Sequence, residues 1–565
     1  MTGFLVEIPL SRRVEKIDDL FIRRPLFSFF QETDEFLIVA WGDPIVRKPL
    51  PEEIPEERVP QVITENITGH YYYLTLTKST GRIVAGNSMF GILPLYYCGT
   101  GDRMVASDNA INLGKHVKNS TVSGRFVLEM VLFGYPLFNH SILEEIKLLG
   151  SNSYLSVCNG KWTESKHFTV EDIFVINPLP WKRVVEETAE NSIETFAAYM
   201  PDRQYASALT GGFDGRTLMS VGLRLGKEMT AFTFGTEDSD DVMIASGLAA
   251  SAGIPFRWIA LGDDYVNNES LMCGEEFILN SSGAATFARA HYLYSSKLLA
   301  RDFRVMVTGN FGSEIFRSPH IAGTVISPNI VSLFTAGTPL KAYELLEETP
   351  EFKCLNIRNL EYAWESLKSD ITMLPCFNPG YAGLTMNQKF YVFVFEEVFR
   401  KYFGAEMANQ FRYLINRTPF LDVELLKVIF GSRLAGIHSD FFEHNPVKRF
   451  KGQVLYAHII RKSYPAFGKI LTDKGYAPCD LLTLHGKASI AFNYARKKLM
   501  NKRLHADPYA VTAAWERNRH FWETIPIPGE FFNQSTSNDP ALVRNRNLMF
   551  KIISLSAAIS MLQDS

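Results

Sequence analysis

The sequence predicts two structural units in series. Residues 1–175 read as an α+β sandwich of antiparallel sheets with few helices, and residues 181–565 as an α/β unit on a parallel sheet with a helical C-terminal part. Three observations predict this. Up to about residue 170, short aromatic and β-branched runs alternate with turn residues. After Trp181, strand-like and helix-like stretches alternate, the pattern of a parallel sheet covered on both faces. Beyond about Leu333 the pattern is mostly helical, with Pro- and Gly-containing loops such as "PCFNPGYAG".

In the first unit, "HYYYLTLT" (His70–Thr77), "RIVAG" (Arg82–Gly86), "PLYYC" (Pro94–Cys98) and "RMVAS" (Arg103–Ser107) are the strand candidates. Ser79-Thr80-Gly81 and Gly99-Thr100-Gly101-Asp102 are the turns between them. "GRFVLEMVLFG" (Gly124–Gly134) reads as one helix crossing this layer, and Asn159-Gly160 in "YLSVCNGKWT" as a hairpin turn. The pattern changes near Pro178-Leu179-Pro180. From Trp181 to Met200, Val185, Ile193, Phe196 and Met200 fall on one helical face. A short strand then ends at Leu209 and a helix begins near Asp214. "MTAFTFG" (Met229–Gly235), "FRWIAL" (Phe256–Leu261) and "FRVMVTG" (Phe303–Gly309) are further strands, separated by helices over Asp241–Gly253 and about Ala285 to Ala300.

The 565 residues suffice for two or more domains with large cores. A formal charge of −3 provides no global field favouring nucleic acid, and no nucleic-acid partner is expected. One basic run, Arg496 to Arg503 in "ARKKLMNKRLH", reads as a solvated helical face, with an RNA or acidic-partner patch as the alternative. Cys98, Cys158, Cys273, Cys354, Cys376 and Cys479 lie far apart without a C-x-x-C pair. Their scatter argues against a disulfide framework or zinc site and fits a reducing, cytoplasmic setting. The opening "MTGFLVEIPLSRRVEK" lacks a secretory-signal pattern, and no run of about 18 apolar residues predicts a membrane span.

The stretch with most chemical content is "SALTGGFDGRTLMS" (Ser207–Ser220). In a parallel sheet, ligands bind at the carboxyl ends of strands, where Thr210-Gly211-Gly212 falls. Two glycines let backbone N–H groups turn toward an anion, and the helix that follows adds a partial positive charge of about half an electron. Asp214 would oppose a phosphate directly and makes sense there with a bridging Mg²⁺; its other reading is a helix N-cap. The residues therefore suggest a Mg²⁺–polyphosphate site. Walker-type, zinc-protease and serine-hydrolase motifs are absent.

"LTGGFDGR" resembles the "SGGLDS" pyrophosphate loop of asparagine synthetase and its relatives, which include β-lactam synthetases and lasso-peptide cyclases. Further landmarks follow in the family's order. "SDDVMIASGLAASAG" resembles the segment after the second strand, with Asp241 as its aspartate, and "VTGNFGSEIFR" (Val307–Arg317) resembles "SGEGSDELF". "NRTPFLDVELLKVIF" (Asn416–Phe430) resembles "VRVPFLDxxLV", and "KILTDKGYAP" (Lys469–Pro478) the late "RxKxGF" loop. Upstream, "FGILPLYY" (Phe90–Tyr97) and "VASD" (Val105–Asp108) resemble a class II glutamine amidotransferase domain. The resemblance covers nearly the whole chain and implies an Ntn-type sandwich followed by a PP-loop synthetase domain.

It further implies a reaction: ATP and Mg²⁺ adenylate a carboxylate, pyrophosphate leaves, and an amine attacks the acyl-adenylate to give an amide. By the same resemblance, Leu209, Thr210, Gly211, Gly212, Asp214, Gly215, Phe234 and Gly309 are expected to bind the nucleotide, with Asp214 and Glu314 on the metal. Lys474 is expected to neutralise charge on the adenylate, or else to be a surface lysine beside a Gly turn. Several positions depart from the family. Gly215 and Arg216 replace its hydroxyl; Arg216 is expected either to grip phosphate or to point to solvent. At the second carboxylate, Ser313 aligns without a gap and Glu314 with a one-residue shift, and Glu314 is preferred. Asn310 stands in place of a glutamate, which leaves His291 as a candidate base or a packed helix histidine.

The first unit departs further. The family nucleophile is an N-terminal cysteine, whereas here Met1 precedes Thr2, and no Asn-Gly occurs before Asn159 to supply an oxyanion hole. The expected activity is therefore an AMP-forming amide ligase or cyclase without its own glutaminase, acting on small-molecule or peptide carboxylates and amines. An enzyme fed ammonia by another protein and a non-catalytic nucleotide-binding relic are the alternatives. A tRNA-thiolating enzyme is disfavoured, since paired catalytic cysteines and a strongly basic surface are lacking. The acid, the amine and the oligomeric state, a homodimer included, stay open.

Overall fold

Among the described residues, three sheets organise the fold. The computed structural model describes residues 3–11, 13–14, 16, 20–23, 26–175, 177–317, 325–443, 445, 451–490, 492, 507–533 and 545–563. The basic run at 496–503 and Thr2 lie outside these residues. The N-terminal strands are β1 (Leu5–Pro9), β2 (Phe21–Arg23), β3 (Phe29–Glu32), β4 (Phe36–Val46), β5 (Ile67–Thr77), β6 (Ile83–Asn87), β7 (Tyr96–Thr100), β8 (Arg103–Ser107), β9 (Lys147–Leu148), β10 (Ser153–Cys158) and β11 (Lys161–Lys166). They form two antiparallel sheets, ordered β2-β1-β8-β7-β9 and β11-β10-β6-β5-β4-β3.

Burial on both faces explains why β4 and β5 read as continuous apolar runs rather than as alternating ones. Leu37, Val39, Trp41, Tyr72 and Leu74 face the core shared with Phe4, Val6 and Ile8 of the other sheet. The intervening Ile38, Ala40, Tyr71 and Tyr73 pack with Val59 and Ile63 of the helix Val59–Asn66. Asn159 (φ 50°) and Gly160 (φ 74°) make the two-residue turn between β10 and β11; the paired positive φ values are what such a hairpin turn requires. Helix α1 (Gly124–Phe133) starts at Ser123, whose hydroxyl accepts from Phe126 N, and stops at left-handed Gly134 (φ 89°).

The second unit begins with α2 (Trp181–Tyr199), which buries Val185, Ile193 and Phe196 as its spacing predicts. Strands β12 (Tyr205–Ala208), β13 (Met229–Gly235), β14 (Phe256–Ala260), β15 (Val305–Val307) and β16 (Ile415–Arg417) form a five-stranded sheet in the order β14-β13-β12-β15-β16. Every pair in it is parallel. Helices α3 (Asp214–Arg224), α4 (Asp240–Ala252), α5 (Ala290–Leu299), α6 (Gly312–Phe316), α7 (Val423–Phe430) and α8 (Lys451–Ser463) are the ones that concern the site. The strand order reverses between β12 and β15, and in such sheets that crevice is where ligands sit. The fold class is the predicted one: antiparallel sheets with helices, then a parallel sheet, then a helical region. β16 lies in a stretch whose pattern is mostly helical, because three residues carry no period of their own. No helix among the described residues is long and apolar enough to cross a membrane.

The two halves meet through polar clamps. Arg417, on β16, donates to both carboxylate oxygens of Asp43 on β4, at 2.9 Å each. Arg412 reaches Asp108 at 3.0 Å. Buried Arg400 donates to Leu149 O (2.6 Å), Phe138 O (2.9 Å) and Asn139 Oδ1 (2.8 Å). Asp43→Ala, which strands the largely buried Arg417 guanidinium, is expected to destabilise the protein by about 3 kcal/mol in a denaturant titration. Lys341→Ala, which breaks an exposed pair with Glu344, is expected to change it by less than about 0.5 kcal/mol.

Candidate functional site

β12 ends at Ala208, and the chain turns through Leu209-Thr210-Gly211-Gly212 into α3. Leu209 is buried, and its N–H extends the sheet to Phe232 O at 2.9 Å, which fixes where the loop leaves the sheet. Gly215 has no alternative residue. A Cβ there would stand 2.3 Å from Ala208 O, so α3 can approach β12 this closely only with glycine. Gly309, after β15, is bound in the same way: its Cβ would meet Asp214 Cβ at 2.6 Å and Gly215 N at 3.0 Å. The ends of β12 and β15 are thereby pressed together at the crevice.

Loop contacts come from elsewhere in the chain. Gly211 N donates to Asp241 Oδ1 on α4 at 2.9 Å, and Gly211 O accepts from Asp473 N of the late loop at 3.2 Å. Burial raises the Asp241 carboxyl pKa, the Gly211 bond opposes that shift, and the Asp473 and Asp240 charges add to it. Thr210 is exposed, and its hydroxyl accepts from Gly212 N at 3.3 Å. Lys474 is half-buried at the turn Thr472–Tyr476, directly after Asp473.

Arg216 requires a correction. It is 0 % exposed, so it does not point to solvent. Nη1 donates to Ile470 O (2.6 Å) and Phe467 O (3.2 Å), and Nη2 to Leu471 O (3.1 Å) and Gly211 O (3.4 Å). It ties the glycine loop to the late loop from behind. Burial lowers its pKa to about 10, against the pull of Asp473, so it stays charged near neutrality.

Asp214 is held from two sides. Ser313 Oγ on α6 donates to Oδ2 at 2.7 Å, and the buried Tyr456 hydroxyl on α8 donates to Oδ1. Arg317 Nη2 in turn donates to Ser313 Oγ at 2.5 Å. Ser313, the gapless alternative, is therefore the residue in direct contact with Asp214. Glu314 lies within electrostatic reach: burial first, and then the Asp214 charge, push its pKa up to about 7. Its backbone carbonyl accepts the Tyr391 hydroxyl at 2.6 Å. Asn310 turns the other way and donates to Glu406 at 3.0 Å. Among the described residues no group of three or more His, Cys, Asp or Glu is arranged to hold a metal ion by itself. Tyr456 carried no sequence signal, since it reaches the site from a helix 242 residues further along the chain.

Phe234, at the end of β13, faces an aromatic bracket. His291 and Tyr292 on α5 lie 5.5 Å and 5.4 Å from its ring, and Tyr509 lies 6.0 Å away. His291 stacks on Tyr509 at 5.0 Å with the planes 6° apart. Pro508 O accepts from Thr236 N at 3.0 Å, which lays this late segment across the end of β13. His291 is buried, and neither ring nitrogen makes a well-formed hydrogen bond among the described residues, although the Ala288 backbone slightly favours the charged form. Burial, and then the Arg289 charge, lower its pKa to about 3, so it is neutral near pH 7 and a weak base. Tyr509, 38 % exposed, is the open wall of this bracket.

No described protein family and no curated protein matches the sequence. Solved structures with partial likeness include glutamine phosphoribosylpyrophosphate amidotransferase from B. subtilis complexed with ADP and GMP, at 11% identity and a TM-score of 0.17. That match covers 42% of this chain and 48% of that one. A second, described as the allosteric regulatory enzyme of purine biosynthesis, has 11% identity, a TM-score of 0.18 and coverage of 42% and 47%. The chain thus spans about half the length of each.

Because His291 is neutral in the fold but titrates near 6.5 when unfolded, the unfolded chain binds more protons between those values. Its contribution to stability is present above pH 6.5 and is lost as pH falls toward about 3. His291→Leu is expected to lose less stability between pH 6.5 and 4 than the parent protein, by up to about 3 kcal/mol in denaturant titrations at the two pH values.

Proposed function

We propose that the protein is an ATP-dependent amide ligase or cyclase that forms AMP and pyrophosphate and has no glutaminase of its own. The observation that carries this reading is the convergence at one sheet edge of the Gly211-Gly212 loop, Asp214 and the late Lys474 loop. Tyr509, partly exposed beside Phe234, offers a ring face on which a nucleobase would stack. The glycine loop and the N-terminus of α3 fit the phosphates. Mg²⁺, held by Asp214 and the polyphosphate, would neutralise charge on the phosphates.

In this reading a substrate carboxylate oxygen attacks the α-phosphorus and pyrophosphate leaves. An amine then attacks the acyl carbon, AMP leaves with the bonding electrons, and the amine proton passes to a base. Lys474 balances phosphate negative charge during both steps. Arg216 positions rather than reacts: it keeps the glycine loop and the Lys474 loop in register. The nucleophile is free ammonia, an amine on the substrate or a second substrate. The retained Asp214 and Lys474 favour a working synthetase. One observation favours the alternative of a decayed nucleotide-binding protein: both Asp214 oxygens already accept protein hydroxyls. A carboxylate has about four lone-pair sites, so those bonds still leave room for a cation.

The test is ATP–pyrophosphate exchange against a library of carboxylates, followed by a screen of amines and ammonia. Asp214→Asn is expected to reduce exchange at least about 100-fold with the fold intact by circular dichroism. Full exchange in that variant would refute the metal role of Asp214, and ATP binding without exchange on any acid would establish the decayed reading instead.

A further inference from the structure

A polyphosphate at this sheet edge would meet acids. Asp214 follows the glycine loop, Asp241 and Asp473 both bond to Gly211, and Glu314 lies within electrostatic reach of Asp214. Arg216 does not offset them toward a ligand, since its Nη groups donate to backbone carbonyls. A triphosphate brings several negative charges of its own, and its chemistry depends on cations held against them.

Arg317 stands where these elements meet. It follows α6 directly, and its Nη2 donates to Ser313 Oγ at 2.5 Å, which donates in turn to Asp214 Oδ2 at 2.7 Å. Its main chain is fixed: Arg317 N donates to Ser313 O at 3.0 Å, and Arg317 O accepts the Tyr391 hydroxyl at 3.3 Å. Its charge reaches Tyr456 on α8, Glu314 on α6 and Tyr476 of the late loop.

Two features separate it from Arg216. The residue is half-buried rather than sealed, and no described residue accepts a hydrogen bond from its Nε or Nη1. A guanidinium presents five N–H donors in a rigid fork that matches phosphate oxygens in pairs. Ser313 gives the placement its meaning. A neutral hydroxyl, not a second carboxylate, touches Asp214, and that hydroxyl carries an arginine with it. Positive charge is thereby built into the chain beside the aspartate.

We propose that Arg317 is a phosphate-binding residue of this edge, a fixed cation that contacts the polyphosphate alongside Asp214. The proposal rests on the nucleotide-binding part of the reading above and not on amide formation. The test is calorimetric titration of the full chain with ATP and, separately, with inorganic pyrophosphate, both in excess Mg²⁺. The parent is compared with Arg317→Gln, Arg317→Lys, Ser313→Ala and the Ser313→Ala/Arg317→Gln double variant, each checked for its fold by circular dichroism. Arg317→Gln is expected to weaken both ligands at least about tenfold, and Arg317→Lys to restore part of the loss. A merely structural role would act through Ser313, so Arg317→Gln would then change nothing further in the Ser313→Ala background; that result would overturn the proposal. The expected result is a further loss of at least about fivefold in that background. Unchanged affinity in Arg317→Gln, or no binding of either ligand by the parent, would overturn it as well. Pyrophosphate exchange separates the two readings. A parent whose binding depends on Arg317 but which exchanges on no acid supports the phosphate role and removes the ligase. A parent that exchanges while Arg317→Gln binds normally removes the phosphate role and keeps the ligase.

Discussion

A single buried cation sets the geometry of the candidate site. The Arg216 guanidinium sits without solvent exposure; its two Nη groups donate to four backbone carbonyls, from Gly211, Phe467, Ile470 and Leu471, while its Nε has no partner among the described residues. Burying a charge is unfavourable unless hydrogen bonds replace its water, and bonds to a charged donor contribute roughly 1.5–3 kcal/mol each. Those bonds also impose a distance, because one rigid planar fork reaches both loops at once. A lysine in this position would present one point charge and could not span the same set of acceptors. The glycine loop and the late loop are separated by more than 250 residues of chain and are held as one surface by this side chain. Lys474 inherits its place from that clamp.

The rest of the edge is fixed by close approach. Gly215 lets α3 press on β12, and Gly309 lets the turn after β15 press on α3, so both strands at the order reversal feed one crevice. With the two turns in place, Asp214 projects toward α6 and α8, where Ser313 and Tyr456 orient its carboxylate. Hydroxyl donors fix the direction of a carboxylate without cancelling its charge. Asp214 therefore remains a directed negative group beside a helix N-terminus, an arrangement suited to sharing a cation with phosphate. The neutral His291 lies off to the side, at the end of the neighbouring strand β13, where it contributes ring surface and hydrogen-bonding capacity but little basicity.

How much of this was legible in the sequence follows from the range of each signal. The hairpin at Asn159-Gly160, the stop of α1 at Gly134 and the helix start at Asp214 are local, set by φ preference and periodicity within a few residues, and they stand where the sequence put them. β16 is illegible in the sequence because a three-residue strand is defined by its neighbour β15, not by its own pattern. The loop glycines were legible as a motif, whereas the partners of that loop were not. The helix around Arg216 carries no sign of its partners, because three of the carbonyls that capture it belong to residues 467–471. Tyr456 is a similar case: nothing near it in sequence distinguishes it from an ordinary buried tyrosine. At the second carboxylate, one residue of register separated Ser313 from Glu314, and only three-dimensional placement shows which of them touches Asp214.

The sandwich is bound into this arrangement through the edge of the parallel sheet. β16 ends the order of the parallel sheet, and an edge strand with unpaired backbone groups is a liability unless something covers or blocks it. The residues at that edge turn into the sandwich: Arg417 to Asp43 on β4, and Thr418 to His70 on β5. Arg400, buried and lowered in pKa by that burial, donates to carbonyls at Phe138 and Leu149. Arg412 meets Asp108, which also accepts the N–H of Phe4 at the start of the chain. Removing the first unit would leave these guanidinium groups without their acceptors and open a continuous apolar core that runs through both halves. The physical consequence is that the sandwich is the other half of the surface against which the parallel sheet is folded.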